Sequence, residues 1–136
     1  MPPKPRGLRI CLPISDRTNS MIFYRDTFGF ELVGEPADDG VPEPLMFRVD
    51  QQTMLMLIPA GGFGWALGEG RELAPTGTSE CIVDVGVADE DEVAVLVERI
   101  RSAGGKVLGE PQRKPWGYEA TCTDPDGHVW QVSVEP

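Results

Sequence analysis

The residues able to do chemistry are few. His128 is the single histidine among 136 residues, and the three cysteines, Cys11, Cys81 and Cys122, form no CxxC pair. An odd count without paired spacing builds neither a disulfide framework nor a zinc ribbon. It suits a reducing, cytoplasmic compartment. His128 precedes Gln131 by three positions on a strand-like run, and alternation sends the two to opposite faces. No Cys–His or Ser–His–Asp arrangement can be assembled from one such histidine. Cys11 follows Arg9 by two positions on the same side of its strand. A neighbouring cation favours a thiolate, yet Cys11 also reads as a small residue filling space, as do Cys81 and Cys122. The glycine-rich run AGGFGWALGEG at 60–70 lacks the GK[ST] ending of a phosphate-binding loop and its strand-to-helix context.

The elements that must position any such residues occur twice. GFELVGEP at 29–36 and GGKVLGEP at 104–111 stand 75 residues apart, and Asp16 and Asp91 keep the same offset. Each half runs strand, acidic turn, helix, glycine, then a strand ending in GEP. A fixed period points to one duplicated module. In the first half, Leu8, Ile10, Leu12 and Ile14 alternate along a strand at 8–14. A helix over 17–28 follows, with strands at 30–35, 45–50 and 53–58. In the second half, CIVDVGV at 81–87 is a strand, and Val93, Leu96, Val97 and Ile100 mark an amphipathic helix. Strands follow at 106–110, 118–123 and 128–134. Asp124-Pro125-Asp126-Gly127 is a tight turn, with proline presetting one dihedral and glycine accepting a positive one. One domain is expected, with module one at about 7–59, a flexible connector at about 60–79 and module two at about 80–136. Phe63 and Trp65 are unusual in a plain connector; they form an apolar lid or tack the loop to the body.

Composition narrows the partners. The net charge is −10, which disfavours a nucleic-acid backbone. It is compatible with cationic ligands, and reads first as a solvated surface. No apolar run is long enough for a membrane span, and MPPKPRG has no apolar segment behind it to make a secretory signal.

FYRDTFGFEL at 23–32, RIRSAGGKVLGEP at 99–111, PWGY at 115–118 and DPDGHVWQV at 124–132, taken with the duplicated βαβββ order, resemble the vicinal oxygen chelate superfamily. That group includes glyoxalase I, bleomycin-resistance proteins, extradiol dioxygenases and methylmalonyl-CoA epimerase. The resemblance implies an α+β fold of two tandem βαβββ modules whose mixed sheets form a cup around a small-molecule pocket. In metal-dependent members, four cup-facing positions on the first and last strands of each module supply His, Glu or Gln ligands. Matching those positions gives Arg9 and Gln131, and the offset of 75 adds Asp84 and Met56. A second alignment places Ile82 where Asp84 would stand.

This quartet is a poor site for a divalent ion. Arginine stays protonated, and thioether sulfur suits soft ions. No metal and no cofactor is therefore expected. Arg9 pairs with Asp84, binds a ligand carboxylate or phosphate, or snorkels at the rim. Cys11, Met54 and Met56 would line the cup, with Phe63, Trp65, Trp116 and Tyr118 as flat surfaces around its mouth. Trp130 goes to the core beneath the second helix, and His128 outside the cup. The expected function is metal-independent binding of a small molecule, an aromatic or cationic compound such as an antibiotic. The alternative is a glyoxalase- or dioxygenase-like lyase, isomerase or oxidoreductase using the same cup. The resemblance also implies a homodimer, with modules paired within a chain or exchanged between chains.

Overall fold

The computed structural model describes residues 1–135. Its elements in chain order are β1 (Leu8–Ile14), α1 (Arg17–Asp26), β2 (Glu31–Val33), β3 (Leu45–Arg48), β4 (Thr53–Pro59), α2 (Ala60–Leu67), β5 (Val83–Val87), α3 (Glu90–Ser102), β6 (Lys106–Lys114), β7 (Gly117–Thr123) and β8 (Val129–Val134). They form two four-stranded sheets of identical topology, β1-β4-β3-β2 and β5-β8-β7-β6. In each sheet the first strand pairs in parallel with the last, and the remaining pairs are antiparallel. This is the tandem βαβββ arrangement of the sequence reading. Backbone contacts divide the chain into two compact units: Met1–Arg25 with Gly29–Leu73, and Asp26–Phe28 with the chain from Ala74 onward.

In the first unit, period-two alternation separates two faces of the sheet. Leu12, Ile14, Leu45, Phe47, Leu55 and Leu57 are buried on one face. Helix α1 supplies Tyr24, fully buried, whose ring packs 6.1 Å from that of Phe47 and 5.1 Å from that of Phe23. The loop before β3 is tied to the first turn of α1. Arg17 donates to Asp39 at 3.1 Å and to the Val41 carbonyl at 2.9 Å, and pairs with Glu43 at 3.2 Å. The Arg17 hydrogen bond holds the Asp39 carboxyl below its ordinary range.

In the second unit, α3 buries Val93, Val97 and Ile100 against β6, β7 and β8, whose inner face carries Ala120, Cys122, Trp130 and Val132. Trp130 belongs to this core, as expected, and Phe28 packs on it with ring centroids 4.6 Å apart. Before β8, the Asp124 carboxylate accepts the backbone N–H groups of Asp126 at 3.0 Å and His128 at 2.8 Å. Gly127 turns the chain with φ 87°. His128 thus stands in the turn ahead of β8 rather than within the strand.

Two expectations change. The stretch at 60–79 is not flexible connector throughout: its first part is helix α2, in contact with β1 and β4. Glycines favour that contact. A Cβ at Gly62 would come 3.3 Å from the Ile58 side chain, and one at Gly64 3.2 Å from Leu73. Gly68 ends the helix with φ 86°, a conformation that costs glycine little. The second change concerns the repeat. The capping carboxylates are Asp16, which accepts from the Asn19 N–H at 2.8 Å, and Asp89, which accepts from the Glu92 N–H at 2.9 Å. Position 16 to position 89 is an offset of 73, and the helices begin at 17 and 90 with the same offset. Asp91 lies inside α3 and is not the counterpart of Asp16. The offset of 75 returns by Gly29 and Gly104, so the two extra residues fall between the helix start and the closing glycine: α3 has 13 residues against 10 for α1, and the turn after it is one residue shorter.

Candidate functional site

Each sheet has one face beneath its helix and one face without it. The first sheet's open face is built in rows by strand register. Arg9 lies opposite Met54, and Met54 opposite Arg48. In the next row Cys11 lies opposite Met56, and Met56 opposite Met46. Beyond it Pro13 lies opposite Ile58. The methionines and Ile58 are half-buried, while Arg9, Cys11 and Arg48 are exposed. Arg48 and Met46 were not among the sequence candidates. The alternation of Leu45 and Phe47 with Met46 and Arg48 carried that signal.

The offset of 73 changes who corresponds to whom. Cys11, not Arg9, is the counterpart of Asp84, and the registers agree: Cys11 pairs with Met56, and Asp84 with Gln131. The counterpart of Arg9 is Ile82, an exposed residue just before β5. The alignment on Ile82 is therefore the one the helix caps support.

The open face of the second sheet is polar. The Asp84 carboxylate accepts from Ser133 Oγ at 2.8 Å and from Gln131 Nε2 at 3.2 Å. Ser133 in turn lies opposite Glu119 on β7. Glu119 is only 4% exposed, and its carboxylate accepts the indole N–H of Trp116. Opposite Ser133 on the other side is Gly86. A Cβ there would come 1.9 Å from Glu135 Oε1, so the missing side chain leaves room for a third carboxylate. Asp84, Glu119 and Glu135 thus share the open face with Ser133, Asp84 by hydrogen bond, Glu119 by strand register and Glu135 over Gly86. Glu119 and Glu135 also lay outside the sequence candidates.

The aromatic candidates separate. Trp116 is 75% exposed beside Glu119, with the Lys114 ammonium 5.5 Å from its ring centre. Tyr118 has the parity of Ala120 and Cys122 and so lies on the helix side. Its ring is 5.7 Å from the Arg113 guanidinium, which pairs with Glu90 at the start of α3. Phe63 and Trp65 lie on α2, half-buried and 87% exposed respectively. Cys122 is buried, and loss of hydration pushes its thiol up to about 11, consistent with a space-filling role. Cys81 and Cys11 are free and exposed.

A family model described as Glyoxalase/Bleomycin resistance protein/Dioxygenase superfamily matches residues 8–132. The chain belongs to this superfamily. Solved structures agree. A glyoxalase-related enzyme from Fulvimarina pelagi superposes with TM-score 0.79 at 27% identity, over 95% of this chain and 87% of the other. Hypothetical protein SA1046 from S. aureus gives TM-score 0.77 at 28% identity, over 95% and 92%. TioX from Micromonospora sp. ML1 shares the fold, with TM-score 0.66 at 22% identity over 96% and 98%. A search of curated proteins finds no match.

Superfamily members that use a divalent ion hold it with imidazole and carboxylate donors, and this chain's donors do not fit one. Both Asp84 oxygens already accept hydrogen bonds from side chains of the neighbouring strand β8. Met56 offers a thioether, and Arg9 no lone pair. Among the described residues, no three His, Cys, Asp or Glu side chains come together closely enough for a metal ion. No helix among them is long and apolar enough to cross a membrane.

Proposed function

We propose that the protein binds a small organic molecule without the divalent ion used elsewhere in its superfamily, and that the ligand is an aromatic cation of the kind found among antibiotics. The observation that carries this reading is the second sheet's open face: the Asp84, Glu119 and Glu135 carboxylates share it with Ser133, and the exposed Trp116 indole stands beside Glu119. Carboxylates attract a cationic group, and an indole face adds cation–π attraction and a stacking surface. Lys114 already occupies that kind of position over Trp116. The Asp84 hydrogen bonds hold its carboxylate in place, which lowers the ordering cost of binding. The same reading carries a cytoplasmic homodimer, which sedimentation of the purified chain would check.

A thermal-shift screen in the presence of EDTA tests the proposal, with aromatic-cation antibiotics compared against aromatic carboxylates of similar size. A ligand at a hundred times its dissociation constant stabilises by about 2.7 kcal/mol. Cations should raise the melting temperature and carboxylates should not, and Asp84→Asn or Glu119→Gln should shrink the shift. Equal shifts with both ligand classes, or a shift that appears only when a divalent ion replaces EDTA, would overturn it. The second outcome would favour a lyase, isomerase or oxidoreductase.

A further inference from the structure

The first sheet's open face gathers sulfur. Cys11, Met46, Met54 and Met56 come from three adjacent strands and share one side of them. They include three of the protein's five methionines. Directly opposed side chains stand about 5 Å apart at Cβ, and Met54 and Met56, two residues apart on one strand, about 7 Å. Cys11 is opposed to Met56 and diagonal to Met54, so the three sulfur-bearing side chains rise from neighbouring positions on one side of the sheet. Met46 flanks Met56 on its other side. Methionine has three rotatable bonds and a polarisable sulfur, so these side chains can turn toward a common centre.

We infer that Cys11, Met54 and Met56 form a binding site for a soft monovalent metal ion, Cu(I) or its analogue Ag(I), with Met46 as a further thioether donor. Thiolate and thioether ligands select Cu(I) over hard and borderline ions. Charge points the same way. Binding exchanges the Cys11 thiol proton for the metal: the S–H bond breaks, a sulfur–metal bond forms, and the proton passes to water. With a monovalent ion the resulting centre is neutral. A divalent ion would leave a net positive charge next to Arg9 and Arg48, which flank Met54 in its row. No oxidation is involved, because the ion enters and stays in its monovalent state. The site lies on the first sheet and is independent of the ligand reading, which rests on the second.

The test is a titration of Cu(I) into the full-length, reduced, chelator-stripped protein under anaerobic conditions, against a competing chromophoric Cu(I) chelator. The protein carries Cys81→Ser, which removes the other exposed thiol. One ion per chain should be held, with release of one proton. Cys11→Ser should weaken binding at least about a hundredfold and Met56→Leu at least about tenfold, since losing a ligand costs no less than the roughly 10–100-fold lost with an outer-shell partner. With 13C-methyl methionine, Ag(I) should move the Met54 and Met56 signals and leave Met1 and Met21 unmoved. Failure to compete with the chelator, binding unchanged in Cys11→Ser, or unmoved Met54 and Met56 methyls would each overturn the proposal. The methyl spectrum is read on unsubstituted side chains, so it does not depend on any variant folding.

Discussion

The same module, built twice in one chain, shows solvent two different faces. Cys11 and Met56 sit where Asp84 and Gln131 sit in the second copy. The first sheet offers sulfur, with Arg9 and Arg48 on either side of Met54. The second offers three carboxylates, of which Asp84 is hydrogen-bonded to a serine and a glutamine. The covered faces do not differ in this way. Both are apolar, and each helix starts at an aspartate that caps it. Burial constrains the covered side to apolar side chains of suitable shape, whereas the open side is free to change chemistry without loss of the fold. Duplication has kept the scaffold equal and let the two surfaces diverge.

The comparison can be broken most forcefully at the cores. Phe47→Ala in the first unit and Trp130→Ala in the second should each cost about 3–5 kcal/mol in chemical denaturation, since both rings are buried. A near-neutral result at either would mean that the two covered faces are not equivalent.

The helix caps sharpen the correspondence itself. Asp16→Ala and Asp89→Ala should each cost about 1 kcal/mol, while Asp91→Ala should fall well below that. Loss of stability in Asp91→Ala but not in Asp89→Ala would restore the offset of 75 and with it the pairing of Arg9 with Asp84.

A smaller effect separates the cysteines. Disulfide-exchange reagents should modify Cys11 and Cys81 quickly in the native protein and Cys122 only on unfolding. Burial raises the Cys122 thiol from an ordinary 9.0 to about 11, so the folded state retains this proton where the unfolded state has lost it. The associated stability is fully present below pH 9 and is lost as pH rises toward about 11. Cys122→Ala should remove that alkaline slope, and an unchanged slope would assign it to another group.

Most of the fold was legible because its signals are local and periodic. Val93, Val97 and Ile100 mark α3 by spacing alone, and Asp124 to Gly127 announce their turn by residue type. Helix α2 was not legible. Its run AGGFGWAL is poor in helix propensity, and only packing beside Ile58 and Leu73 explains its glycines. The repeat was legible to within two residues. Matching letters placed Asp91 opposite Asp16, and only the hydrogen bond from Glu92 N–H identifies Asp89 as the cap. Of the site, alternation placed Met54, Met56, Asp84 and Gln131 on open faces. It could not reveal Glu135, whose place depends on the absent side chain of Gly86, or Glu119, whose partner is the indole of Trp116. Tyr118 was read as a flat surface at the mouth of the cup from its residue type, whereas its parity with Ala120 and Cys122 along β7 puts the ring on the helix side.

The most direct test is calorimetric titration of Zn, Ni, Mn, Fe and Co ions into chelator-stripped protein. Asp84 is engaged by Ser133 and Gln131, and the corresponding positions of the other copy hold Cys11 and Met56, so no saturable stoichiometric heat is expected from any of these ions. Tight binding of one divalent ion per chain, abolished by Asp84→Asn, would contradict metal-independent ligand binding and put an enzyme of the superfamily's metal-dependent kind in its place.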